Sequence, residues 1–117
     1  MKYTEILKLK EMLEEAGIPF TFTDDFWGMK EWVESNAGLA QIYREQYPAY
    51  QIQLGNLADV VEHCYSRGNE QDLLEIMDAM TKEEQEQCAV LGYLTAEEVF
   101  KRFKYCWEHQ TSTYKED

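Results

Sequence analysis

Two pairs of zinc-type ligands stand out first. His63 and Cys64 are neighbours, and Cys106 and His109 are spaced i, i+3. Four such side chains are the complement of a tetrahedral zinc site. With Glu62 they also form a thiol, imidazole and carboxylate of the kind used in nucleophilic catalysis. Both chemistries meet the same obstacle. Residues 60–65 read as a strand, and adjacent strand residues point to opposite faces. On that reading His63 and Cys64 share no ion, and the imidazole does not reach its neighbour's thiol. Carboxylates are abundant, yet none is isolated as a pair in an apolar cleft, as glycoside hydrolysis requires. The expectation is a protein that is not an enzyme, with no catalytic residue, no metal and no cofactor.

Two further groups suggest binding. Glu70, Asp72, Glu75, Asp78, Glu83, Glu84 and Glu86 fall in one span opposed only by Lys82. On a helix, Asp72, Glu75 and Asp78 succeed one another at i, i+3 and make a line of negative charge. Such a line suits a partner protein with a basic surface. Trp27 and Trp32 add aromatic anchors of the type favoured at interfaces. The alternative site is Ser66, Arg67, Gly68 and Asn69 at the start of the same helix, where free N–H groups attract anions. That site would serve a protein sequestering a signalling nucleotide. Against it, Glu70 and Asp72 already occupy the first turn, and no P-loop or dinucleotide fingerprint is present.

These residues must be positioned by a small set of elements. A helix over about 4–16 carries Ile6, Leu9, Leu13 and Ala16 on one side. It ends at Gly17, with Ile18 folding back and Pro19 blocking continuation. Phe20 to Thr23 alternates and reads as a short strand with its phenylalanines inward. Residues 26–48 read as two short helical segments, the first with an aromatic face, parted at Asn36-Ala37-Gly38 and ended by Pro48. Tyr50, Ile52 and Leu54 mark a half-buried strand, and Gly55-Asn56 a two-residue turn. Residues 57–65 fit either period. The β-branched pair Val60-Val61 favours a strand over a helix capped by Asn56 and Asp59. A helix over 70–80, capped by Asn69, carries Leu73, Leu74, Ile76, Met77 and Met80. Thr81-x-x-Glu84 and Thr95-x-x-Glu98 are capping boxes that start two more helices. The last of these turns Val99, Phe100, Phe103, Cys106 and Trp107 inward. Residues 88–94 cross the core between them. The fold class is α+β: a small antiparallel sheet of about three strands covered by N- and C-terminal helices. Residues 1–110 make one domain, and 111–117 a frayed polar tail.

The totals exclude several classes. A net charge of −12 over 117 residues disfavours direct binding to nucleic acid or anionic membrane. Three widely spaced cysteines without CxxC argue against a disulfide framework. No secretory leader and no membrane-spanning run is read, so a cytosolic location is expected.

Three stretches, LKEMLEEAGIPF at 9–20, VEHCYSRG at 61–68 with DLLEIM at 72–77, and GYLTAEEVF at 92–100, carry a family likeness. They resemble a group of short uncharacterised proteins encoded in prophages and mobile elements of Firmicutes. The resemblance covers the first 27 residues and those after 49, and residues 28–48 look like an insertion relative to shorter members. It brings no activity or catalytic residues. What it implies is a phage accessory protein in the host cytosol. Such a protein would act by binding a host or phage protein, as anti-restriction and anti-CRISPR inhibitors of nucleic-acid-processing defence enzymes do.

Overall fold

The computed structural model describes residues 3–24, 38 and 48–115. The expected insertion over 28–48, apart from Gly38 and Pro48, lies outside the described residues, and so do Trp27 and Trp32.

Helix α1 (Thr4–Glu15) buries Ile6, Leu9 and Leu13. Its end follows the expected pattern. Ile18 N–H bonds Leu13 O at 3.0 Å, Gly17 N–H bonds Glu14 O at 3.1 Å, and Gly17 has φ 71°. These are the paired bonds of a Schellman ending, in which glycine takes the left-handed position without a Cβ clash.

Strands β1 (Thr21–Thr23), β2 (Tyr50–Leu54), β3 (Ala58–Glu62), β4 (Leu74–Met77) and β5 (Leu91–Leu94) form one antiparallel sheet in sequential order. Among the described residues the sheet has five strands rather than about three. Side chains alternate between its faces. Ile52 and Leu54, Ala58 and Val60, and Leu74 and Ile76 turn to the side where α1 and the last helix, α3 (Ala96–His109), supply the rest of one continuous core. Phe20 and Phe22 pack against that core, as expected. The register puts Thr21, Gln53, Asp59 and Met77 in one row of the outer face, and Thr23, Gln51, Val61 and Glu75 in the next.

The expected helix over 70–80 is not formed. Gly68, at φ 100°, leads into a single 3-10 turn, Asn69–Gln71. Asp72 (φ 57°) then redirects the chain into β4. Leu74 and Ile76 alternate with Glu75 and Met77, so the apolar run serves a period of two. Pairing with β3 overrides the helix propensity of Leu, Glu and Met. Asp78 and Ala79, both left-handed at φ 66° and 54°, end the strand.

Of the two expected capping boxes one forms in full, and at the other Thr95 caps Glu98 N–H while its hydroxyl, not its N–H, donates to the Glu98 carboxylate. Thr81 and Glu84 exchange both bonds ahead of α2 (Lys82–Gln87), and Thr95 accepts from Glu98 N–H at 3.2 Å ahead of α3. Two expectations for the C-terminus need correction. Trp107 is exposed at 36%, because it lies off the stripe of Val99, Phe103 and Cys106. The tail is anchored rather than frayed up to Lys115. Ala79 N–H bonds Ser112 O, Tyr114 N–H bonds Met80 O, and Tyr114 is 4% exposed. Among the described residues no helix is long and apolar enough to cross a membrane.

Candidate interaction face

The sequence-derived acidic group divides by role. Asp72 is half-buried and caps α1 across 69 positions of chain. It accepts Tyr3 N–H at 2.7 Å, Thr4 N–H at 2.9 Å and the Thr4 hydroxyl. α1 has no side-chain cap of its own, so this carboxylate satisfies donors that would otherwise be orphaned. Glu62, at the end of β3, is fully buried on its core face and accepts from Asn69 Nδ2. Burial acts to raise the Asp72 carboxyl, but the donated bonds outweigh it and hold the group below its ordinary value.

Glu84 is likewise committed. Its two oxygens take the Arg102 guanidinium at 2.8 and 3.0 Å while one of them caps Thr81 N–H. Arg102 holds its carboxyl below the usual range. Arg102 also bonds Ala79 O and lies over the Tyr114 ring, tying α3 to the tail. A hollow of about 700 Å³ between α2 and the tail is lined by Glu83, paired Glu84, Lys82, Thr113 and Lys115, so its two carboxylates share it with two lysines. Glu70 and Glu86 are exposed elsewhere. With Asn69–Gln71 a 3-10 turn and Leu74–Met77 a strand, Asp72, Glu75 and Asp78 are not helical neighbours and form no line.

The side chains of two of the four anion-binding candidates, Ser66 and Asn69, are spent internally. The Ser66 hydroxyl donates to His63 O and accepts His63 N–H, and Asn69 donates to Glu62. Asn69 N–H bonds Ser66 O, and Arg67 N–H points to Glu75. A three-residue 3-10 turn flanked by two carboxylates presents no row of free donors to a phosphate.

His63 and Cys64 lie in the turn after β3, not within it. His63 is half-buried, its Nδ1 accepts Tyr65 N–H, and burial pushes its pKa down. Cys106 is buried in the core, whereas His109 is exposed and stacked on Tyr105 with ring centroids 4.0 Å apart. Among the described residues no group of three or more His, Cys, Asp and Glu is placed to hold a metal ion.

Asp59 and Glu75 are diagonal neighbours on the outer face of the sheet, and Asp78, in the bend after β4, lies near Asp59. Burial pushes the Asp59 carboxyl above its ordinary range, Asp78 and Glu75 add to the rise, and the Gln51 amide, donating at 3.0 Å, opposes it. Beside them is a depression of about 230 Å³ whose lining includes Asp59, Val61, His63, Glu75, Met77 and Val90. β5 carries an irregularity between the pairs Ile76↔Leu91 and Leu74↔Leu94, which puts Gly92 and Tyr93 opposite Glu75. Tyr93 is left-handed (φ 61°), 59% exposed, and its N–H turns to Arg67 O. A bulge of this kind re-aims a side chain and blunts a sheet edge.

Asp59, Met77 and Tyr93 were not among the sequence-derived candidates. Alternation through Ala58-Asp59-Val60-Val61-Glu62 was the available signal for Asp59, and it equally puts Glu62 in the core. Met77 was expected inward, on a helix stripe that does not exist. Comparison of the chain with family models, curated proteins and solved structures returned no match.

Proposed function

We propose that this protein acts by binding a protein partner with a basic surface, without catalysing a reaction, and that its outer sheet face is the surface it offers. The observation that carries the reading is the pairing of Asp59 and Glu75 on the outer sheet face beside exposed Met77, with Asp78 close to Asp59 in the bend after β4. Like charges gathered on one face raise one another's energy, and a cationic partner relieves that cost. The net charge of −12 adds long-range attraction of the same sign. Enzymes that process nucleic acid present basic surfaces to phosphates, so they are the partner class that fits. The resemblance to prophage-encoded proteins extends the proposal to host defence enzymes of that class.

The test is capture on the immobilised full chain, washed in steps from about 0.15 M to about 1 M salt, where screening shortens from about 8 to about 3 Å. Retained proteins should be basic, should elute as salt rises, and should be displaced by added duplex DNA. Partners that are acidic, or whose retention ignores salt, would remove the basis of the proposal.

A further inference from the structure

We infer that the depression beside Asp59 receives a single lysine or arginine side chain of the partner protein, its aliphatic stem against Val61, Met77 and Val90 and its cationic head between Asp59 and Glu75. This deepens the binding proposal and rests on it. The geometry supplies both halves of such a guest. A cavity of about 230 Å³ is of the size of one long side chain rather than a whole ligand. The three apolar residues suit a hydrocarbon stem, which long basic side chains bury while keeping the head polar. Register sets Val61 directly opposite Glu75 and Asp59 directly opposite Met77. The two carboxylates are therefore diagonal neighbours across β3 and β4, on the same face as the apolar pair between them.

Electrostatics favour the same occupant. The Asp59 carboxyl is held up by burial and by its acidic neighbours, so it gains when a cation arrives. His63, on the wall of the depression, is pushed by burial toward its neutral form and so does not oppose an incoming positive charge.

The experiment is an NMR titration of the 15N-labelled full chain with acetylated, amidated Gly-Arg-Gly. Parallel arms use the lysine peptide and the uncharged citrulline peptide. Saturable shifts should centre on Asp59, Val61, Glu75 and Met77. The citrulline peptide should bind about tenfold more weakly. Asp59→Asn, which keeps the shape and the Gln51 contact, should cost a similar factor. Glu83→Gln with Glu86→Gln removes more charge from elsewhere and should change affinity less than about twofold. A loss as large from the Glu83/Glu86 pair as from Asp59→Asn would mean diffuse attraction: the pocket is then wrong while the acidic-surface proposal stands. No saturable shift with either cationic peptide also overturns the pocket. The wider proposal falls separately, through salt-insensitive capture.

Discussion

Asp72 gives the sharpest test of how this structure is held, because its carboxylate serves a helix start 69 positions away. The perturbation is Asp72→Asn. Asparagine tolerates the left-handed backbone at φ 57°, so the change isolates the charge and the second acceptor oxygen. Wild-type Asp72 accepts two backbone N–H groups and one hydroxyl at the first turn of α1. Loss of a side-chain cap costs about 0.5–2 kcal/mol, and loss of a negative charge at a helix N-terminus about 0.3–1 kcal/mol. Asparagine retains one acceptor, so we expect a net loss of about 1–1.5 kcal/mol at pH 7, or roughly 5 °C in Tm for a chain of this length. Because the Asp72 carboxyl is held below its ordinary value, folding favours the ionised form. Its contribution is therefore complete above the unfolded carboxylate pKa of about 3.9 and is lost as pH falls through the folded value. Glu84, also held low, shifts both proteins alike and cancels in the comparison. Urea denaturation of both proteins at neutral and acidic pH measures the gap, provided the slopes agree. A gap below about 0.3 kcal/mol at pH 7, or one that does not narrow in acid, would refute the capping role and return Asp72 to the pool of surface charges.

Gly92→Ala should destabilise by about 1–3 kcal/mol, since its Cβ would sit 2.3 Å from Arg67 Cβ and 3.0 Å from Arg67 O, forcing apart the two segments that shape the bulge. Gly17→Ala is the comparison: nothing lies within 4 Å of the new Cβ, so only the left-handed backbone at φ 71° is strained, at about 1 kcal/mol; equal thermal shifts would contradict the steric argument. Burial, reinforced by the Asp78 charge and opposed by Arg102, pushes the Cys106 thiol up to about 11. Iodoacetamide at mildly alkaline pH should therefore modify half-buried Cys64 and Cys88 in the folded chain and reach Cys106 only after denaturation, and labelling of Cys106 at the rate of the other two would show that it is not in the core.

The local reading succeeded where one short stretch contains its own answer. Ala16-Gly17-Ile18 encodes a helix stop because the bonds that close it span six residues. Thr81-x-x-Glu84 encodes a helix start because donor and acceptor are three apart. Alternation in Tyr50–Leu54 is visible because one face of the strand is buried. The reading failed between Gly68 and Met80. Leu73, Leu74, Ile76 and Met77 satisfy a helical stripe and a two-residue alternation equally, and the choice is made by β3, which offers an unsatisfied ladder at Asp59, Val60 and Val61. The same error hid the candidate face. Assigned to a helix, Asp72, Glu75 and Asp78 look like one line of charge; assigned to a turn, a strand and a bend, Asp72 goes to the start of α1 while Glu75 and Asp78 flank Asp59. Tyr114 shows the same limit at the C-terminus. A polar tail reads as loose until Met80 and Arg102 are found beside it.

Composition and local pattern alone determined an acidic α+β chain, the stop of α1, the starts of α2 and α3 and the inward stripes of Ile6, Leu9 and Leu13 and of Val99, Phe103 and Cys106, since charge sums and short-range hydrogen bonding need no partner from elsewhere. Only the tertiary structure decided how many strands pair, which carboxylates are consumed as caps and ion pairs, and that Asp59 meets Glu75 and Asp78 beside an apolar depression. Those outcomes depend on which distant segments compete for the same donors and the same buried surface, and that competition is resolved only once the whole chain has packed.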